Sequence, residues 1–124
     1  MPELLLVGLG GFCGAMARYL LAGLFWRLSP LFPWGTFTVN VLGTMALGFL
    51  MTLATETLLI SPALRVFLAI GFLGSFTTFS TFAYETSALL DDGALVPALL
   101  NVVFSLLAGL CGVRLGAWLA RSFF

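Results

Sequence analysis

Apolar residues fill four long runs, separated by short interruptions rich in proline or acidic residues. The runs extend from about Leu4 to Trp26, Trp34 to Thr57, Pro62 to Leu90 and Leu95 to Ala120. An α-helix needs about 20 predominantly apolar residues to cross the hydrocarbon of a bilayer. Each run is therefore read as one crossing, and the chain as an all-α integral membrane protein with a single four-span domain over residues 1–124. The interruptions carry helix-stopping chemistry. In "RLSPLFP", Pro30 and Pro33 break the first helix, with Trp26 and Trp34 placed where aromatic belts meet the headgroups. In "ISP", Pro62 suits the first turn of a new helix. "DDG", Asp91 to Gly93, reads as a polar turn. The run from Leu4 is too long for the hydrophobic core of a cleavable signal, and little chain is left over for an extramembrane domain.

The third run departs from the pattern. It is longer than one straight crossing requires, and it contains "GFLGSFTTFSTF", in which five of the seven residues from Ser75 to Thr81 carry hydroxyls. Gly71 and Gly74 precede them, so an interruption of the helix is expected between Gly74 and Thr78. Unwound backbone at membrane depth must be buried in protein or line a watery cavity, and its freed carbonyls suit a cation. A continuous, kinked helix with hydroxyls bonded back to carbonyls is the other reading. Beyond the interruption, Thr78, Thr81 and Glu85 fall at i, i+3 and i+7 and share a helix face, with Phe79 and Phe82 in an adjacent stripe. A phenyl ring is positive around its edge, so ring edges can attract a small anion without the tight grip of a full countercharge, which conduction disfavours. Such a stripe serves packing equally well.

Composition narrows the function. Hydrophobic residues make up 61% of the chain and charged residues only 8%, against about 25% charged in soluble domains. The five basic residues, all arginine, are balanced by five acidic ones, which gives no sign of a nucleic-acid partner. Histidine is absent and no nucleophile is paired with a base, so an enzyme is not expected. Cys13 and Cys111 stand alone in apolar runs, with neither metal-site nor disulfide spacing. Ionisable residues in or near the spans are Arg18, Glu56, Glu85 and Arg114. Glu56 and Arg114 lie close enough to span ends to snorkel, whereas Arg18 and Glu85 lie deeper and are candidate functional groups. Asn40 in span two either ties two helices together or turns amide donors toward an anion. Ser105 in span four either bonds the carbonyl one turn back or lines a polar path.

Small residues at helix-contact spacing, Gly10 and Gly14, Thr44 and Gly48, Gly112 and Gly116, predict close helix approach in three of the four spans. Among the terminal and loop arginines, Arg65 and Arg121 fall on one membrane side and Arg27 on the other. That bias is a weak orientation signal, and it leaves both a fixed orientation and an antiparallel pairing of opposed copies open.

Three blocks in order, "GGFCGAMARY" (Gly10 to Tyr19), "PWGTFTVNVLG" (Pro33 to Gly43) and "GFLGSFTTFSTFAYE" (Gly71 to Glu85), resemble the signature segments of the fluoride ion channels of the Fluc/CrcB type. The resemblance covers the chain in length, span count and motif order. It implies an antiparallel, dual-topology homodimer in the plasma (inner) membrane of a bacterium or archaeon, surrounded by lipid, passing fluoride passively out of the cell through two pores. It further implies a structural sodium ion at the dimer interface, held by the backbone carbonyls of Gly74 and Thr77 at the break in span three. Carried over by position, Phe79 and Phe82 are the pore-lining aromatic pair, Asn40 the amide donor, Ser80, Thr81 and Ser105 parts of a polar track, Glu85 near one mouth, and Arg18 structural or vestibular. The chain departs from the family in span four. Where a tyrosine often precedes the track serine by one turn, this sequence has Asn101, an amide in place of a phenol. A small four-span multidrug exporter is the rival reading. It requires a carboxylate embedded in span one, and Glu3 lies outside the apolar run.

Overall fold

The computed structural model describes residues 2–28 and 31–124, so Pro30 lies outside the described residues. Helices α1 (Pro2–Phe25) and α2 (Trp34–Glu56) form the first two spans, and α6 (Leu95–Phe123) forms the fourth. The third span, Pro62–Asp91, is composite. It comprises α3 (Pro62–Arg65), a π-helical segment (Val66–Leu73), α4 (Gly74–Phe76) and α5 (Phe79–Asp91). All four spans are long and apolar enough to cross a membrane.

Local chemistry sets the ends. Ser61 accepts the Leu64 N–H with its hydroxyl, and Pro62 takes the first helical turn, where its missing N–H costs nothing. At the turn after α5, Gly93 adopts φ 74°, a left-handed conformation that glycine enters without a Cβ penalty.

As a regular α-helix the 30 residues of the third span would be about 45 Å long, well beyond the hydrocarbon thickness. Two features shorten it. The π-helical segment bonds i to i+5 and fits more residues into each turn, and the helix stops altogether at Thr77 and Thr78, whose backbones are extended. The expected interruption is thus present, but its physical reason differs from the expected one. Gly74 has ordinary helical angles (φ −61°, ψ −33°), and Gly71 lies in the π-helical segment, packed on Val7 and Gly10 of α1. The glycines serve helix contact; the two threonines carry the break.

The spans associate in two principal pairs, α2 with α6 and α1 with the third span. Backbone-to-backbone approach supplies both seams. Gly48 and Gly116 face the backbones of Val113 and Met45, while Gly112 lies against the Thr44 hydroxyl. Across the other seam, Gly10 and Gly14 face the carbonyls of Phe67 and Phe72. Lipid gives apolar side chains no drive to hide, so close van der Waals seating of small residues is what holds such helices together. The buried apolar set is correspondingly small, centred on Val39, Leu50, Leu73 and Phe76. Large residues such as Leu9, Phe12, Leu106 and Leu110 point outward. Glu56 at the end of α2 forms a two-pronged pair with Arg121 of α6, 2.9 Å at its shortest; both side chains are half exposed, and such a pair contributes little stability.

Candidate functional site

Every polar group expected to matter near the break has a definite partner or a definite vacancy. Asn40, on α2, clasps Thr78 from both sides. Its Oδ1 accepts the Thr78 N–H at 2.8 Å, and its Nδ2 donates to the Thr78 carbonyl at 3.1 Å. The reciprocal pairing replaces what a continuous helix would do, since the Thr78 N–H would otherwise go to the Gly74 carbonyl. Thr78 then caps α5. Its hydroxyl accepts the Thr81 N–H, which a continuous helix would have sent to the Thr77 carbonyl, and donates to the Thr81 hydroxyl at 2.9 Å. On the other side of the break, Arg18 of α1 donates from Nε to the Ser75 carbonyl at 3.0 Å. The Ser75 hydroxyl donates to the Gly11 carbonyl of α1 at 2.8 Å and to Phe72 O at 3.2 Å, and the Thr77 hydroxyl bonds back to Leu73 O.

The extended backbone therefore survives because α1 and α2 take over its hydrogen bonds, as buried peptide groups require. The carbonyls of Gly74 and Thr77 accept no hydrogen bond among the described residues, their helical donors having been diverted to Asn40 and Thr78. An unclaimed carbonyl is a centre of negative potential, chemically suited to a hard cation.

The start of α5 has the opposite character. Thr81 receives a hydrogen bond from Thr78 and its own hydroxyl proton is uncommitted, and the Ser80 hydroxyl is exposed without a partner among the described residues. The positive end of the helix dipole lies at the same terminus. Phe79 and Phe82 follow, ring centroids 5.8 Å apart and planes at 46°. Phe79 is 80% exposed; Phe82 is half-buried.

A cavity of about 560 Å³ adjoins the break, with Arg18, Thr36, Thr78, Thr81 and Glu85 among its lining residues. The shared face expected of Thr78, Thr81 and Glu85 is thus a cavity wall. A second cleft of about 580 Å³, bordered by Trp26, Trp34 and Tyr84, also reaches Glu85, so this carboxylate stands between the two spaces. One of its oxygens, Oε1, is buried without a hydrogen-bond partner among the described residues. Thr36 is a polar residue that the sequence reading missed. It lies four residues before Asn40, on the same face of α2, and that spacing was the available signal.

Asn101 and Ser105 sit apart from the break. Asn101 is only 1% exposed. Its amide donates to the Thr86 hydroxyl at 2.9 Å, and its Oδ1 accepts from the Ser105 hydroxyl at 3.2 Å. Arg114, expected near a span end, is exposed on α6.

The chain is similar to known proteins over nearly its whole length. The family model described as "CrcB-like protein, Camphor Resistance (CrcB)" matches residues 5–117. The chain is 48% identical over 119 residues to the fluoride-specific ion channel FluC of Chlorobium chlorochromatii, covering 96% of this chain and 92% of that one. It is likewise 48% identical over 123 residues to the protein of that name from Geobacter sulfurreducens, covering 98% and 99%. A third relative so named, from Prosthecochloris aestuarii, is 49% identical over 117 residues, 94% and 91% of the two chains. With a match of that extent, the four-span chain described above, its third span composite, belongs to the CrcB-like family.

Proposed function

We propose that this chain is a fluoride-selective channel that lets the ion leave the cell down its electrochemical gradient, lowering cytoplasmic fluoride. The observation that carries the reading is the juxtaposition at the start of α5. Among the described residues the Ser80 and Thr81 hydroxyl protons and the second N–H of Asn40 are uncommitted, and the Phe79 and Phe82 rings rise from the same helix turn as the two hydroxyls, with no charged residue between them. Fluoride is small and tightly hydrated, so leaving water requires strong donors at short range. Ring edges add a weaker, positive lining from which the ion can depart. Glu85, between the two cavities, lies at one mouth of this path, and Ser105 extends it along α6. The names of the relatives agree with this ion.

The functional unit on this reading is an antiparallel homodimer with two pores in the plasma membrane of a prokaryotic cell. A ring as exposed as Phe79, beside free hydroxyls, needs protein rather than lipid to complete a water-lined path. The Gly74 and Thr77 carbonyls fit a sodium ion shared at the centre of such a dimer, where it would neutralise their dipoles and join the two copies.

The test of the function is fluoride efflux from liposomes containing the purified protein. Rapid fluoride release with chloride retained is expected; equal release of both ions, or of neither, would end the reading. Phe82→Ile keeps an apolar volume but removes the ring edge, and is expected to slow fluoride efflux by about tenfold or more, the equivalent of about 1.4 kcal/mol. Gly74→Ala addresses the dimer. Within one copy a Cβ at Gly74 meets only the Ala69 carbonyl, at 3.8 Å, so alanine fits. A shift from dimer to monomer on cross-linking in detergent is therefore expected only if a second copy seats at this position. An unchanged dimer removes Gly74 from the interface.

A further inference from the structure

Helix α5 carries the two phenylalanines, yet none of its residues is buried. Its contacts with the rest of the fold are sparse compared with the α2–α6 and α1–third-span seams. Packing alone does not fix the rotation of such a helix about its axis. Polar tethers remain, and two of them bracket the rings. One is the Asn40 clasp at Thr78, just ahead of the helix. The other lies two turns further on and is a directional chain of hydrogen bonds. The Ser105 hydroxyl donates to Asn101 Oδ1, Asn101 Nδ2 donates to the Thr86 hydroxyl, and the Thr86 hydroxyl donates to the carbonyl of Phe82 at 2.8 Å. Every proton in this chain is handed on in one direction, an arrangement in which each bond polarises the next.

Asn101 is essentially inaccessible, so its amide must be satisfied inside the protein, and Thr86 is the only partner its Nδ2 has among the described residues. We propose that Thr86 and Asn101 are positioning residues. Together they form a strut between α6 and α5 that sets the angle at which Phe82 meets the ion path and holds the Ser105 hydroxyl beside it. Asn101 on this account does not donate to the ion. Its side chain is turned inward, and it acts through Phe82 and Ser105. The inference rests on the reading of Phe82 as a pore residue and adds Thr86, which no motif marks.

Thr86→Val tests it, because valine keeps the shape of threonine but neither donates nor accepts. In liposomes the variant is expected to lose about tenfold of its fluoride efflux and to lower the fluoride-to-chloride preference, while remaining a monodisperse protein with the melting behaviour of the wild type. Thr86→Ser, which restores the hydroxyl, is expected to stay within about twofold of wild type. In a Phe82→Ile background, Thr86→Val is expected to add less than about twofold, since both changes act through one ring. Wild-type efflux from Thr86→Val, or an undiminished further loss in the Phe82→Ile background, overturns the proposal. So does a Thr86→Val protein that fails to fold, which would make Thr86 a stability residue. A silent wild type in the same assay would instead count against the fluoride reading itself.

Discussion

Asn40→Leu is expected to abolish fluoride efflux, by about a hundredfold or more, because it removes both halves of the clasp that keeps the third span open. The Thr78 N–H and carbonyl each lose their partner on α2. Leaving a buried peptide group unpaired costs about 1–3 kcal/mol, so the extended backbone at Thr77 and Thr78 is disfavoured by about twice that. The helix has a remedy at hand: the Thr78 N–H can return to the unclaimed Gly74 carbonyl and continue α4 into α5. That closure would rotate Phe79 and Phe82 away from their present positions and consume one of the carbonyls proposed to hold a cation. Asn40→Asp separates the two halves. The carboxylate still accepts the Thr78 N–H but cannot donate to its carbonyl, and it brings a negative charge into the proposed anion path. Efflux should fall here too, with the break intact. Amide exchange at Thr78 distinguishes the variants: slow exchange of a re-formed helix in Asn40→Leu, and near-native behaviour in Asn40→Asp. Wild-type efflux from Asn40→Leu would show that the clasp is dispensable.

Local features of the chain predict much of this, and its long-range contacts account for the rest. Each hydrophobic run is long enough for a crossing, and the first three are separated from the next by proline or a glycine-containing turn, so four helices follow from local chemistry alone. The break in the third span is foreshadowed by its hydroxyl density. What holds the break open is not, since the partner of Thr78 lies 38 residues away on α2 and the partner of Ser75 is 64 residues away on α1. Neither distance has a local signature. The glycines mislead for the same reason. Gly71 and Gly74, ahead of the hydroxyl-rich stretch, suggest that glycine interrupts the helix, whereas the missing side chain of Gly71 is spent on contact with α1. The π-helical segment reads as ordinary apolar sequence. Thr86 escapes notice because its importance comes entirely from Asn101, on another span. Asn101 itself was visible as a departure from the family pattern, but only its burial shows that it faces inward.

Two glycines of α1 are expected to respond to alanine with opposite signs, and the larger effect belongs to Gly14. A Cβ at Gly14 would overlap the Phe72 carbonyl oxygen and Ser75 Oγ and lie 2.9 Å from Phe72 C, so backbone must move. Overpacking of a tight seam costs about 1–3 kcal/mol, and here the seam also aligns the site. Arg18 reaches the Ser75 carbonyl, and Ser75 reaches Gly11, only while α1 lies close against the third span. Gly14→Ala should therefore lower the melting temperature in detergent and reduce fluoride efflux together. At Gly8, on the same helix, a Cβ meets nothing within 4 Å. Alanine is the better helix former by about 1 kcal/mol, so Gly8→Ala should melt at or above the wild-type temperature with efflux unchanged. Equal melting temperatures for the two variants would mean that α1 is not seated on the π-helical segment as described. Separation of the two would establish that the seam between α1 and the third span does more than assemble the helices: it holds Arg18 and Ser75 where the backbone of the break requires them.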